Sequence, residues 1–252
     1  MPLTLPTHPL AVLPLKLWRP RWFDGVALVA GAVAPDLAYA IDGYGVTIHS
    51  HAWHAPLWWA LPISLVGVRL ARWAAPAVAA HLPAGGPLAL RDYGVLGGVH
   101  HPWWTTAISA ILGAVSHIVW DAFTHPTVDG GRVLFPWLHN WVTPELPWWR
   151  LLSIVSDHIG FVAGIAMALH IGSARLLRRW HGHPPPAPRR PVAFWTAAFA
   201  VAAAGMALLP LQPAQLMHNQ AIRCLVIACA ALLAGTTATH LMAAPQTPAP
   251  TS

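Results

Sequence analysis

An apolar run that begins near Thr105 closes on Ser116-His117-Ile118-Val119-Trp120-Asp121-Ala122-Phe123-Thr124-His125. Its apolar positions, among them Ala107, Ile108, Ile111, Leu112, Val115, Ile118 and Val119, are what a membrane helix requires. His117, Asp121 and His125 recur every four residues, so a helix sets them on one face, drifting slowly around it. A carboxylate and two imidazoles in such a run are costly unless they find partners. Neutral imidazoles and a carboxylate converging from one side suit a divalent metal such as zinc. The other reading is a hydrogen-bonded Asp–His pair that ties helices together. Three such groups in register, in a chain with further His and Asp clusters, favour the metal.

The rest of the chain is membrane protein in composition. Of 252 residues, 56% are hydrophobic and 9% charged, against about a quarter charged in soluble domains. The net charge of +6 arises from 13 Arg and one Lys against eight acids. These basic residues punctuate apolar runs, so the expected partner is membrane lipid and not nucleic acid. Oligomeric state is not readable. Cys224 and Cys229 match neither a disulfide framework nor a zinc spacing. The first charge, Lys16, follows the first apolar stretch, the wrong order for a cleaved signal peptide.

The expected fold is an all-α polytopic membrane helix bundle of about six spans, after a short N-terminal re-entrant or interfacial helix. The spans fall near residues 22–41, 55–72, 105–125, 150–172, 192–211 and 221–242. Residues 1–242 form one membrane domain. Its site-bearing helices lie in 1–172, two plainer spans in 192–242, and a disordered tail follows at 243–252. Thr7 and Pro9 mark the start of the short first helix, and Arg19-Pro20-Arg21 reverses the chain. That reversal makes a hairpin, with His8 and Asp36 at the same end. Eleven of the 14 basic residues fall on alternate sides of the six spans, leaving Arg132, Arg150 and Arg223. The positive-inside rule then puts the basic loops in the cytoplasm, and the His/Asp groups in the outer half of the membrane.

The candidate metal ligands are His8, Asp36, His51, His54, His117, Asp121 and His125. His54 enters because it follows His51 by three residues, on the same face if that stretch is helical. Nitrogen and oxygen donors without thiolate suit zinc, manganese, iron or nickel. Asp36 is the candidate bridging ligand or general base. Asp157-His158 is a weaker pair whose helix phase is open. A third possibility is bis-histidine haem ligation, with His117 facing His158.

Thr7-His8-Pro9, Ala34-Pro35-Asp36, Ser50-His51 and Ser116-His117-x-x-x-Asp121-x-x-x-His125 occur in an order that resembles a bacterial membrane family, the domain of unknown function 4184. The likeness runs the full length and concentrates in residues 1–172. More distantly, the chain is similar to inner-membrane metal-dependent hydrolases and to the zinc-dependent phospholipase C and P1 nuclease group, which shares a His-x-x-x-Asp pair. The resemblance implies metal ligation by His117 and Asp121, and by Asp36 and His51. The second His-x-x-x-Glu of that group is missing, since His139 and Glu145 stand six apart, so its three-metal chemistry is not implied. The functional expectation is a metal-dependent hydrolase of lipid or envelope phosphoesters. The alternative is a non-catalytic membrane protein with a structural metal or His-Asp network.

Overall fold

The computed structural model describes residues 7–125 and 134–243. Asp129, Arg132 and almost all of the expected tail lie outside them. Within the described residues the chain is an all-α bundle with one small antiparallel pair, β1 (Trp141–Thr143) and β2 (Leu146–Pro147). Five helical segments have the length and apolarity to cross a membrane: Pro56–His81, Trp103–Thr124, Trp148–Ser173, Pro191–Leu211 and Met217–Leu241. They carry broad exposed apolar faces, for example Ile159, Phe161, Val162, Ile165 and Leu169. Water would not tolerate such faces, whereas acyl chains cover them.

The sixth expected span is a different object. Residues 22–41 do not make one long helix. After α1 (Thr7–Trp18), the nine-residue α2 (Gly25–Val33) runs antiparallel to it and gives way to a 3-10 turn, Asp36–Ile41. Pro35 is the physical reason. It has no N–H for the carbonyl of Gly31, so the chain tightens, with Leu37 N donating to Ala34 O at 3.2 Å. The reversal between α1 and α2 is closed by Lys16, whose ammonium donates to Pro20 O at 2.5 Å and Phe23 O at 2.9 Å.

Short as it is, α2 is the centre of the bundle. Leu28 and Ala32 pack with Val12 of α1. Ala27 packs with Val68 of α3 (Leu61–His81) and Ala110 of α4 (Trp103–Thr124). Asp24 caps α2, accepting from Val26 N and Ala27 N, and also binds Arg72 Nη2 at 2.6 Å and Thr106 Oγ1 at 2.8 Å. The crossing of α2 and α4 is backbone-close. A Cβ on Gly31 would meet Ala110 O at 2.0 Å, and one on Gly113 would meet Leu28 O at 2.3 Å. Small residues facing one another are how membrane helices approach this closely.

A one-turn π segment, Pro56–Ala60, leads into α3, which continues past Arg72 to His81 although Pro76 lies inside it. The expected end of that span near residue 72 is therefore too early. The later helices are α5 (Trp148–Ser173), α6 (Leu176–His181), α7 (Pro191–Leu208) and α8 (Met217–Leu241). Asp92 is buried and pairs with Arg175 and Arg178, and Asp24 with Arg72, at the end of the bundle where α4 begins. The His/Asp groups collect at the end where α4 stops.

Candidate metal centre

The α2–α4 crossing positions the first ligand. His117 lies one turn beyond Gly113 and is fully buried, its Nδ1 2.7 Å from Ala32 O. A carbonyl only accepts, so Nδ1 carries the proton and Nε2 points away from α2. One turn further, Asp121 Oδ2 lies 3.4 Å from that Nε2. The 3-10 turn after Pro35 aims Asp36 at the same point, with Oδ1 3.5 Å from His117 Nε2. His51 closes the set. Its Nε2 lies 3.2 Å from His117 Nε2, 3.4 Å from Asp36 Oδ1 and 3.5 Å from Asp121 Oδ2. Ser50 Oγ, 3.1 Å from His51 Nδ1, is a partner for the other ring nitrogen.

Four donor atoms thus form two triangles that share the His51–His117 edge, one closed by Asp36 and one by Asp121, with sides of 3.2–3.5 Å. Donors about 2.0–2.1 Å from an ion at tetrahedral angles stand about 3.3–3.4 Å apart. Each triangle therefore has the spacing of three donors on an ion of that size. Two overlapping triplets, His51/His117/Asp121 and His8/Asp36/His117, have their ligand atoms within 4.8 Å of one another.

A second set of donors surrounds the other oxygen of Asp121. Oδ1 is 3.6 Å from His8 Nε2 and 3.4 Å from His125 Nδ1, and it has no hydrogen-bond partner. His8 stacks on His117, ring centroids 3.7 Å apart, and its Nδ1 is also buried without a partner. The hairpin thus brings His8 beside Asp36, as the reversal at Arg19-Pro20-Arg21 required. His8 is buried and His125 has a side chain 30% exposed, so this second set reaches the surface only at His125.

His54 does not join them. It is exposed, and Trp58 Nε1 donates to its Nδ1 at 2.8 Å. The stretch from Asp42 to His54 has no helix, so three-residue spacing does not put His54 on the face of His51. The haem pairing also fails geometrically: His158 is exposed, its Nδ1 2.7 Å from Ile154 O. Its neighbour Asp157 is buried instead, with Oδ1 unpartnered. Asp157 lies one turn before Gly160, where a Cβ would collide with Thr7, so it faces the start of α1.

Sequence reasoning missed how α8 holds the site. Arg223 is buried and donates to Ala40 O, Asp42 O and Pro213 O at 3.1, 2.8 and 2.6 Å. Asn219 Nδ2 donates to Tyr39 O at 3.1 Å. These two residues fasten the turn that carries Asp36. Arg223 was one of the three basic residues outside the charge pattern, and that exception was the available signal.

Fold and site together define a multi-pass membrane protein whose helices bring a buried His/Asp cluster to one end of the bundle. The chain belongs to the family described as domain of unknown function DUF4184, whose model matches residues 1–241. No curated protein and no solved structure matches it, so the more distant hydrolase likeness finds no support there.

Proposed function

We propose that Asp36, His51, His117 and Asp121 hold a divalent metal, zinc above all, and that the protein is a metal-dependent hydrolase of lipid or envelope phosphoesters in a bacterial inner membrane. The single observation that supports the metal is the set of five inter-donor distances at tetrahedral-edge length. Nitrogen and oxygen donors without sulfur suit zinc and its neighbours.

A bound ion would supply Lewis acidity and bring the pKa of a water near about 7. The residues divide the remaining tasks. Asp121 would hold the ion through Oδ2 while its Oδ1 faces His8 and His125. His125 is the partly exposed member of the second set, and a phosphoester would approach from its side. Asp36 accepts the proton of the attacking water. A P–O bond forms to that water, the ester P–O bond breaks, and the leaving alkoxide is protonated from solvent.

One observation favours a non-catalytic reading: four protein donors around one zinc leave no open position. Turnover of bis(p-nitrophenyl) phosphate and of phosphatidylglycerol by metal-loaded protein separates the two. Turnover that His125→Ala removes while metal content persists supports the hydrolase. Full metal content without turnover of either substrate supports the structural metal.

A further inference from the structure

At the opposite end of the bundle a cavity of about 800 Å³ opens between three segments. These are the end of α1 with the turn after it, the strand-like approach to α4, and α6. Its lining includes Arg19, Arg21, Arg179 and His101, with Trp18 and Trp22 at its edge, and no carboxylate. The volume is in the range of small-molecule sites, about 300–1,000 Å³. We propose that this cavity binds a phosphate-bearing anion, the headgroup of an anionic phospholipid.

The charge balance of this end carries the argument. Asp24 is already committed to Arg72, and Asp92 to Arg175 and Arg178. Arg19, Arg21 and Arg179 have no carboxylate partner among the described residues. Three unpaired guanidiniums around one cavity repel each other, and an anion relieves that repulsion. Arg binds phosphate through a planar fork of donors. Arg19 is already oriented, its guanidinium carbon 4.8 Å from the Trp18 ring centroid and 5.5 Å from that of Trp22. His101 Nε2 is buried with no hydrogen-bond partner. Burial, then the charges of Lys16 and His101, pushes the His181 pKa down to about 4, so this wall offers a neutral imidazole at pH 7.

Depth selects the lipid over a soluble anion. The mouth is flanked by exposed Trp18, Trp22, Trp103 and Trp104, and tryptophan concentrates at the headgroup level of a bilayer. This site is separate from the His/Asp cluster and does not depend on the metal.

The test uses full-length protein in a neutral detergent. Dioleoyl phosphatidylglycerol or dioleoyl phosphatidylcholine is added and retention read by native mass spectrometry, with inorganic phosphate as competitor. Phosphatidylglycerol should be retained at least about tenfold better than phosphatidylcholine, and Arg179→Gln should weaken it about fivefold. Arg69→Gln, exposed on α3 and outside the cavity, should change nothing. Displacement by phosphate alone supports the anion site and moves its source to a soluble ion. Equal retention of both lipids without phosphate binding overturns the proposal. So does a preference that survives Arg19→Gln, Arg21→Gln and Arg179→Gln together.

Discussion

His51 and His117 point their Nε2 atoms at each other across 3.2 Å, 66 residues apart in the chain. Because His117 Nδ1 donates to Ala32 O, its Nε2 is the atom left for the cluster. Two ring nitrogens cannot both carry a proton at that separation. The proposed cation would take both ring nitrogens as ligands, with carboxylate from Asp36 or Asp121 beside them.

The grip of α8 on the Asp36 turn has a measurable consequence. Arg223→Met removes the donors that hold Ala40 O and Asp42 O without touching any of the four donors. Supporting residues of this kind typically change metal affinity about 10–100-fold. We expect a loss in that range by competition with a chelator, with the protein still inserted. Unchanged affinity would show that Asp36 is fixed by other contacts.

Gly113→Ala tests the close crossing. The added Cβ would stand 2.3 Å from Leu28 O, so α2 must move away from α4. That motion separates Ala32 O from His117. Overpacking costs typically about 1–3 kcal/mol, and a backbone neighbour puts this case at the upper end. A lower thermal midpoint in detergent, accompanied by lost metal, is the expected outcome. Wild-type stability would mean that the helices are less tightly apposed.

Asp24 and Arg72 form a buried pair at the other end of α2. Arg72→Ala leaves a buried carboxylate with only its cap and Thr106, and breaking such pairs costs about 3–5 kcal/mol. Arg72→Met with Asp24→Asn should recover much of it, because no unpaired charge remains. Equal stability of the single and double variants in thermal unfolding would rule out the charge imbalance as the cause.

Orientation is open to a direct test. With Cys224 and Cys229 replaced by Ala, His49→Cys and Arg189→Cys occupy exposed positions. In intact cells an impermeant maleimide should label His49→Cys and leave Arg189→Cys unlabelled until lysis. Labelling of both from one side contradicts the orientation.

Much of the site was legible because helical period is strict. The four-residue spacing in α4 fixed one face, and the reversal at Arg19-Pro20-Arg21 brought His8 back to Asp36. Apolar length located the five long helices. What escaped depended on departures from that period. Pro35 tightens the helix into a 3-10 turn, whereas Pro76 leaves α3 intact, and the pattern around them does not separate the two cases. His54 was placed by a helical rule in a stretch that is not helical. Asp157 needed the phase of α5, which a close contact with Thr7 sets. Arg223 acts on carbonyls some 180 residues away, a relationship with no local signature.

Metal content of the purified protein tests the central claim most directly. Wild-type protein purified without chelator should carry at least one divalent ion per chain by inductively coupled plasma mass spectrometry. His117→Ala and Asp121→Ala should each reduce that to background while inserting and migrating as the wild type does. Zero metal in the wild type, or the same content in both variants, would contradict the metal centre and leave a hydrogen-bonded clamp between helices.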